Sequence, residues 1–576
     1  MAMPVELFQW DTKRYLKKWM VILGVATLAG VVGGFGALVF RLMIRFFNRL
    51  FFSVTVSHLT LRVHGLNLGY VALPILGGLL IAPLVRRYPE LRGNGIPEVI
   101  EGIIVKSGRI GAKFAVLKTL ATAISIGSGG PLGREGPVGF IGAALGSEVA
   151  KKLRNPHMRK LVTTCGLAAG IAGTFNTPLA GAMFGLEVIY MGAISINLVP
   201  IFVSAIIGNA ITMEILHSPS RFPVVNTSTN FLQSFPFYIL LGMGLGVLGY
   251  LYTRGLYRAT DSFDALSKRV PFVVRLIIGG AGVGVLGMLF PSYGIFGIGF
   301  NGIRMAMLGK FALGLLLALA VTKMLATLLS ISSGFSGGIF APSLYIGTMF
   351  GSAFGLAVSH LIPINLEAYA LAGMAGFFSA ATQAPLTQII MITEMSGVYT
   401  FAPPVALTSV VAFITARTFF RGSSVYTIKL ERRGIHIKTG KPLVLETIAV
   451  HEIMSTEVVY VTEDATLLDV ERIVGSTGHD YMPVVDSEGR VIGVIGVSDV
   501  LGKPTALKKL SVIRHMKRDF AFSKPNETAQ DALEKLLRSD QNLLPVVDDE
   551  MRLLGVVTKK DIYRAYFMGT EGVYLD

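Results

Sequence analysis

The chain has few acidic residues and almost no cysteine. Cys165 is the single cysteine among 576 residues, which excludes an internal disulfide and a cysteine metal cluster. Charged residues make up 15% of the sequence, against about 25% in an average soluble domain. The first 440 residues hold 36 of the 52 Lys and Arg residues but only 14 of the 36 acidic ones. A long apolar and basic segment therefore precedes a shorter segment of ordinary composition.

The excess of positive charge does not indicate a nucleic-acid partner. The basic residues form no patch interleaved with aromatic residues, as a nucleic-acid surface would. They cluster beside apolar runs instead, as Lys13, Arg14, Lys17 and Lys18 do just before Trp19. Such clusters are typical of the cytoplasmic flanks of membrane spans. We expect no nucleic acid to bind and the N-terminus to be cytoplasmic.

Apolar segments recur through the first three quarters of the chain. The mean hydropathy of the whole chain is +0.61. The first, Trp19–Phe40, exceeds the ~20 residues that cross a bilayer and is too long for a cleavable signal. Two others are Leu161–Tyr190 and Ala368–Met395, and glycine interrupts many of these segments. The pattern predicts a polytopic, all-α membrane protein.

Glycine and proline interrupt this apolar sequence at Gly93–Pro97, Gly127–Pro137 and Gly334–Pro342. Short hydrophobic segments broken in this way point to discontinuous helices whose ends meet a site in mid-membrane. Non-helical backbone cannot face lipid, so these breaks must be buried or line a water-filled path. The sequence therefore favours a transporter or channel over a simple anchor.

Glu135 is an isolated carboxylate in one of these breaks, the run GREGP at 133–137. A helix that starts after this loop presents free backbone amides and a positive dipole end. A carboxylate there can occupy an anion site itself and leave it when protonated or displaced. The alternative is a structural acid that only complements the helix dipole. An ionisable residue at membrane depth favours the functional interpretation.

Two more loops have the same composition and also precede apolar segments, at Gly93–Glu98 and Gly337–Pro342. Either one alone is a weak signal, because such loops are common. Three in one chain make a convergent anion site plausible. Backbone amides suit a halide because they offer partial charge without a fixed cation that would hold it too tightly.

With these motifs the sequence resembles the CLC family of chloride channels and chloride/proton antiporters. GREGP at 133–137 and GIFAP at 338–342 match two family loops, and Lys118 and Tyr426 match a family lysine and tyrosine. The resemblance implies a fold of inverted repeats, chloride or a related small anion as substrate, and Glu135 as the gate. It implies these anion-binding residues: Asn94, Gly95, Ile96, Arg134, Gly136, Ile339, Phe340 and Tyr426.

The resemblance also implies a homodimer with one anion path per subunit and two related halves in each. The segments at 176–181 (NTPLAG) and 383–387 (QAPLT) look like corresponding parts of those halves, and Glu187 and Glu394 follow them. We expect the two segments to occupy equivalent positions.

One departure from the family pattern concerns the anion. The first family loop usually carries a serine whose hydroxyl binds the central anion, and Asn94 stands there instead. A carboxamide can donate a hydrogen bond, but it is bulkier and also presents a carbonyl acceptor. Asn94 leaves the preferred anion open among chloride, nitrate and fluoride.

A second departure concerns proton coupling. Antiporters of the family carry an acid at the inner proton-acceptor position, and Val188 stands there. Valine cannot carry a proton, which favours a passive channel. Chloride/proton antiport through a different internal acceptor is the alternative, with Glu187 either a substitute acceptor or a packed structural carboxylate.

The C-terminal part repeats itself with an offset of 62 residues. Pro483–Asp486 recurs as Pro545–Asp548, and Asp469 recurs as Asp531. Each copy predicts helix, strand, turn, strand and helix, so a small α/β module is used twice. The predicted helices begin at Leu467 and Ala529. The predicted strands are Tyr481–Asp486, Val491–Val497, Leu543–Asp548 and Leu553–Val557.

This repeat resembles a tandem pair of CBS domains, which often follow CLC membrane parts. Their adenosine-ligand signature is complete at Gly555–Asp561, so Thr558 and Asp561 are nucleotide candidates. The first copy keeps Asp499 but has Gly496 in place of the hydroxyl residue. No cofactor is required, and ATP, ADP or AMP is expected at one site per pair at most. A purely structural dimerisation module is the alternative.

The expected organisation is a CLC membrane domain at 1–426, a linker at 427–445, and CBS domains at 446–503 and 508–570. We expect the protein in the plasma membrane, with the CBS domains cytoplasmic. A CBS-bearing cation channel would need acids along its pore, and the membrane part has few. An enzyme is disfavoured because the sequence offers no nucleophile–base set and no metal cluster.

Overall fold

The structure is a computed structural model. It describes residues 12–55, 62–63, 66–153, 155–190, 198–216, 222, 224, 231–420, 423–435, 445, 448–477, 480–500, 507–539 and 541–571. The chain divides into two compact units, residues 1–440 and residues 441–576. Each unit is described by itself.

The first unit is helical apart from a two-stranded hairpin, β1 (Arg62–Val63) and β2 (Leu66–Asn67). Its helices are α1 (Thr12–Asn48), α2 (Gly69–Arg87), α3 (Ile96–Ile100), α4 (Ala112–Gly127), α5 (Glu135–Val149), α6 (Pro156–Phe175), α7 (Pro178–Phe184), α8 (Leu198–Leu216), α9 (Phe231–Leu266), α10 (Phe272–Leu289), α11 (Phe300–Met307), α12 (Leu313–Ser333), α13 (Phe340–Val358), α14 (Leu366–Thr382), α15 (Pro385–Ser396), α16 (Ala402–Phe420) and α17 (Thr427–Glu431). Short π-helical segments extend α1 to Thr55, α3 to Val105 and α7 to Ile189.

Among the described residues, 8 helices are long and apolar enough to cross a membrane. They confirm the prediction of a polytopic, mostly helical membrane protein. Helices α3, α7 and α11 have 5, 7 and 8 residues and are far too short to cross. These short helices agree with the interruptions that glycine and proline predict.

The two halves of the first unit repeat one packing arrangement. Helices α5 and α6 meet at Gly142 and Gly166, where a Cβ on either residue would overlap the other's backbone. Helices α13 and α14 meet in the same way at Gly347 and Gly373. Small residues allow such close backbone approach within a membrane, where helix association depends on packing rather than on the hydrophobic effect. The pair α5/α6 and the pair α13/α14 therefore form equivalent cores.

Two of the apolar segments are each divided between two helices. Leu161–Tyr190 divides between α6 and α7 at Asn176, whose φ is 60°, and Ala368–Met395 divides between α14 and α15 at Gln383, whose φ is 59°. Pro178 and Pro385 then start the next helices, a position that tolerates the missing N–H. Hydrophobicity continues across both breaks because both lie in the interior, so apolar content alone does not reveal them.

The second unit is built from two α/β copies, as the repeat predicts. Its helices are α18 (Val450–Ile453), α19 (Leu467–Thr477), α20 (Ala529–Ser539) and α21 (Lys559–Glu571). Its strands are β3 (Val461–Thr462), β4 (Tyr481–Val485), β5 (Val491–Gly496), β6 (Leu543–Val547) and β7 (Leu553–Thr558). One sheet has the order β3-β4-β5, with β3 parallel to β4, and the other pairs β6 with β7 antiparallel.

Candidate anion site

The three glycine-containing loops that precede α3, α5 and α13 are hydrogen-bonded to one another. The Gly133 amide donates to the Gly338 carbonyl at 2.7 Å, and the Gly338 amide donates back to the Gly133 carbonyl at 2.6 Å. The Gly337 amide donates to the Gly93 carbonyl at 3.1 Å. These bonds hold the N-terminal ends of the three helices together, although the first loop lies 244 residues before Gly337 along the chain. The predicted convergence of the loops is therefore present.

The Glu135 carboxylate lies between the two joined loops. Its Oε1 accepts a hydrogen bond from the Phe340 amide at 2.6 Å, and the residue is 1% exposed. A Cβ on Gly133 or on Gly338 would overlap the carboxylate oxygens, so only glycine leaves room for the acid. Phe340 and the preceding Ile339 are fully buried. The acid thus takes an amide that was predicted to bind the anion.

Three buried hydroxyl groups, those of Tyr252, Ser343 and Tyr426, lie near the carboxylate or near one another. Tyr252 and Tyr426 both interact electrostatically with the Glu135 carboxylate, and the Tyr252 hydroxyl interacts with that of Ser343. The Tyr426 hydroxyl and the second carboxylate oxygen of Glu135 have no hydrogen-bond partner in the described part of the protein. Buried hydroxyl groups normally have partners. The three hydroxyl groups are the donors that an anion or a water molecule would require.

Sequence reasoning found Tyr426 but missed Tyr252 and Ser343. Tyr252 lies in the middle of the 36-residue helix α9, with no glycine or proline motif beside it. Ser343 follows directly after the GIFAP motif, in the first turn of α13. The position of Ser343 beside a recognised motif was a usable signal, whereas Tyr252 has none in the sequence.

The first loop is organised by Asn94 itself. The Asn94 Oδ1 accepts a hydrogen bond from the Ile96 amide at 2.9 Å, which turns the carbonyl of the carboxamide away from an anion. Gly95 has φ of 86°, a conformation that glycine adopts without cost. The backbone of Asn94 packs on the α-carbon of Gly136, where no Cβ would fit. The Ile96 amide, a predicted anion ligand, is thus already engaged by the Asn94 side chain.

Two buried lysines hold the loops that precede α3 and α11. Lys118, on α4, donates to the carbonyl oxygens of Leu91 and Gly93, both at 2.8 Å. Lys323, on α12, donates to the carbonyl oxygens of three loop residues, Gly294, Ile295 and Gly297, at 2.8 to 2.9 Å. Both lysines are fully buried. Lys323 is the counterpart of Lys118 in the second half and was not singled out from the sequence.

The Arg134 guanidinium lies against two aromatic rings and interacts electrostatically with the Glu135 carboxylate. It lies 5.1 Å from the ring centre of Phe175 and 5.5 Å from that of Phe300. The side chain also lines a cavity beside α1. Arg134 therefore places a positive charge near the gate, whereas the second and third loops present backbone amides.

The two acids that follow the repeated motifs cap each other's helices. Glu187 accepts hydrogen bonds from the amides of Leu386 and Thr387 at the start of α15. Glu394 accepts from the amides of Leu179 and Ala180 at the start of α7. A carboxylate at a helix N-terminus satisfies free amides and complements the dipole. This reciprocity supports the structural interpretation of Glu187.

Val188 lies in the apolar interior. It is 7% exposed and belongs to the same hydrophobic cluster as Phe184 and Tyr426. The proton-acceptor position of the family pattern therefore carries an apolar side chain in an apolar environment, and the acid beside it, Glu187, is occupied as a helix cap.

In the second unit, Thr558 and Asp561 bond to each other. The Asp561 Oδ2 accepts from the Thr558 amide at 2.9 Å and from its hydroxyl at 2.7 Å, at the start of α21. Thr466 with Asp469 and Thr528 with Asp531 form the same pair. The side chain of Asp499 lies outside the described residues. A capping box accounts for the Thr558 pair without a ligand.

The first of these capping boxes, Thr466 with Asp469, shows how the hydrogen bonds affect the charge of the acid. The hydrogen bond from the Thr466 hydroxyl holds the pKa of Asp469 below its usual range, and the Thr466 amide acts in the same direction. The carboxylate is therefore favoured in its charged form, which is the form that caps a helix.

Comparison with known sequence families yields two descriptions. The family described as voltage gated chloride channel matches residues 77–417. The family described as CBS domain matches residues 450–504 and 511–567.

Similar curated proteins are named as exchange transporters. The H(+)/Cl(−) exchange transporter ClcA of Klebsiella pneumoniae (strain 342) is 33% identical over 362 residues, which cover 61% of this chain and 75% of that protein. The transporter of the same name from Yersinia pestis bv. Antiqua (strain Angola) is 31% identical over 425 residues, covering 72% and 88% respectively.

Solved structures share the fold. A slow cyanobacterial Cl−/H+ antiporter superimposes with a TM-score of 0.63 at 24% identity, covering 72% of this chain and 97% of that one. A eukaryotic CLC transporter superimposes with a TM-score of 0.62 at 19% identity, covering 95% and 98%. At these identities the similarity concerns the fold alone.

Proposed function

The chain belongs to the voltage-gated chloride channel family, known as CLC, and we propose that it exchanges chloride for protons with Glu135 as its gate. It is a multi-pass membrane protein that carries out CLC-type anion transport. Two CBS domains follow the membrane part in the sequence. The observation that carries the proposed gate is the Glu135 carboxylate on the Phe340 amide. A carboxylate in that place excludes an anion from the same amide.

The gate opens, in this proposal, when Glu135 is protonated or displaced. A charged acceptor forms a hydrogen bond roughly twice as strong as a neutral one, so protonation weakens the bond to the Phe340 amide. A chloride ion can then take the amide together with the buried hydroxyl groups of Ser343, Tyr252 and Tyr426. The same acid thereby links an anion's passage to a proton. Asn94, Gly95 and Gly136 shape the neighbouring loop rather than supply this amide.

Exchange is favoured by the relatives, which are named H(+)/Cl(−) exchange transporters. The matches to this chain cover 75% and 88% of their length. Passive conduction is the second candidate, and Val188 favours it, because neither Val188 nor the capped Glu187 is placed to accept a proton. In an exchanger, protons would therefore reach Glu135 by a route that avoids this position. The earlier expectation of a passive channel stays a prediction.

The deciding experiment measures chloride and proton movement together in vesicles that contain the purified protein. We expect an imposed chloride gradient to drive protons against their own gradient. Chloride and the charged Glu135 carboxylate compete for the Phe340 amide, and the carboxylate leaves that amide when it takes up a proton. Vesicles without protein and vesicles with the proton gradient collapsed by an ionophore are the controls. Chloride movement with no accompanying proton movement would replace exchange by passive conduction.

We also propose the arrangement of the whole molecule that the resemblance implies. The protein is a homodimer in the plasma membrane, with the N-terminus and the CBS domains in the cytoplasm. The basic cluster before Trp19 supports a cytoplasmic N-terminus.

For the CBS pair we propose adenine-nucleotide binding at Thr558 and Asp561. A hydroxyl and a carboxylate at the start of a helix fit a phosphate and a ribose. The hydrogen bonds between the two side chains are the ones a ligand would have to share. A bound nucleotide would form contacts here and would not take part in a reaction.

Calorimetry with ATP, ADP and AMP on the full-length protein tests this proposal. We expect Asp561→Asn to weaken nucleotide binding by about tenfold, the loss that one charge-assisted contact of about 1.4 kcal/mol produces. Asp531→Asn is the matched control, because it disrupts the same capping box outside the signature. No heat with any of the three nucleotides would leave the pair as a structural module.

A further inference from the structure

A cavity of about 410 Å³ lies beside the gate and is lined by four arginines. We call it the arginine vestibule, formed by Arg41, Arg45 and Arg49 of the α1 segment, Arg134 before α5, and the loop 296–299. Among the described residues that line it, none is acidic. Arg134 directly precedes Glu135, so the vestibule adjoins the gate along the chain.

Two of these arginines are buried and only partly paired. Arg41 is 6% exposed and Arg134 is 7% exposed. The Nη1 of Arg41 and the Nε and Nη2 of Arg134 are buried without a hydrogen-bond partner among the described residues. An uncompensated buried charge is costly to a protein. Some N–H groups of both guanidinium groups are therefore free to donate, while the Arg134 charge also faces the Phe175 and Phe300 rings.

The other two arginines, Arg45 and Arg49, are exposed and form the rim of the vestibule. Arg41, Arg45 and Arg49 are spaced four residues apart, so they follow one face of the α1 segment. Like charges at this spacing destabilise a helix. Three arginines in a row, with Arg134 as a fourth in the same cavity, therefore destabilise the folded state unless a negative ligand compensates their charge.

The loop on the opposite wall is arranged to tolerate an anion. The carbonyl oxygens of Ile295 and Gly297 accept hydrogen bonds from the Lys323 ammonium. Carbonyl oxygens engaged in this way do not repel an anion in the cavity.

The vestibule is on the membrane face opposite the N-terminus. From Trp19, where the apolar span begins, to Arg41 is 22 residues, a helical rise of about 33 Å, and the hydrocarbon core is about 30 Å thick. With the N-terminus cytoplasmic, as proposed above, the vestibule opens to the outside.

We propose that the arginine vestibule binds a small polyatomic oxyanion of the sulfate or phosphate class, which inhibits chloride transport from the outer side. Guanidinium groups pair with such oxyanions through two parallel hydrogen bonds, which a halide cannot accept. The cavity is also far larger than a single halide ion requires. Because Arg134 interacts electrostatically with the Glu135 carboxylate, an oxyanion held beside Arg134 acts on the gate and repels an approaching chloride.

Equilibrium binding of radiolabelled sulfate to the full-length protein tests the site directly. We expect wild-type protein to bind sulfate and the double variant Arg45→Gln/Arg49→Gln to bind it at least tenfold more weakly. Arg86→Gln is the matched control, because Arg86 is an exposed arginine at the end of α2, away from the vestibule. Equal sulfate binding by wild type and the double variant, or none by wild type, overturns the proposal. Should the double variant not fold, the two single variants decide in the same way.

Chloride flux in vesicles then tests the inhibition, with sulfate replacing gluconate at constant ionic strength. We expect sulfate to slow chloride flux in wild type and in Arg86→Gln, and the double variant to need about tenfold more sulfate. This inhibition rests on the proposed transport function, whereas sulfate binding does not. A protein that binds sulfate but moves no chloride would contradict the transport proposal, and one that moves chloride unaffected by bound sulfate would contradict the inhibition.

Discussion

Replacing Glu135 with glutamine should remove the pH dependence of chloride flux and leave a steady anion leak. In the wild type, flux should rise as pH falls, because protonation weakens the bond between the carboxylate and the Phe340 amide. One titrating proton allows a change of up to about tenfold per pH unit. Glutamine has nearly the same shape but no charge to lose, so we expect the flux of the variant to differ by less than about twofold between pH 5 and pH 8.

Glu148→Gln is the matched control for this measurement. Glu148 lies on the same helix, α5, but is exposed and paired with Lys151. Its replacement should leave the pH profile unchanged. An unchanged pH profile in Glu135→Gln would show that another group controls the gate. Proton movement driven by chloride should also disappear in Glu135→Gln, which would connect the gate to exchange.

Replacing Lys323 with methionine should destabilise the membrane unit strongly. The Lys323 ammonium binds three carbonyl oxygens, those of Gly294, Ile295 and Gly297, inside the protein. Methionine fills similar space but donates no hydrogen bond, so three buried acceptors lose their partner. Each buried acceptor left unsatisfied costs about 1–3 kcal/mol. We therefore expect the free energy of unfolding to fall by about 3 kcal/mol or more.

Unfolding of the purified protein in detergent mixtures, followed by circular dichroism, measures this loss. Lys310→Met is the control, because Lys310 is exposed just before α12 and should change stability by less than about 0.5 kcal/mol. A stability of Lys323→Met close to that of the wild type would mean that the carbonyl oxygens find other donors. The loop 296–299 also lines the arginine vestibule, so a destabilised variant should bind sulfate less well.

Residue types at the three loops were enough to predict where helices begin. The next helices begin within the three motifs, at Ile96, Glu135 and Phe340, a few residues before the apolar runs that the motifs were predicted to open. Proline alone is not a sufficient signal, because α2 continues through Pro74 and Pro83. The same reasoning predicted the doubled α/β module, whose strands end within one residue of the predicted bounds. These features depend on backbone conformations that a few residue types determine locally.

Partners distant in the chain could not be predicted in this way. Glu187 caps a helix that begins 198 residues later, and Glu394 caps one that began 216 residues earlier. From the sequence Glu187 was either a substitute proton acceptor or a packed structural carboxylate, and Glu394 had no predicted role. The inversion of one half against the other is what brings each acid to the other's helix.

The sequence by itself determined that this is a membrane protein with broken helices, an isolated Glu135 and a repeated C-terminal module. Composition and local motifs suffice for that, because bilayer solubility and helix termination depend on residues near one another. Only the tertiary structure decided that the carboxylate takes the Phe340 amide, that Lys323 supports a loop as Lys118 does, and that Arg134 joins three arginines of the α1 segment. Burial and long-range contacts select the partner of each polar group, and those contacts exist only once the two halves pack together.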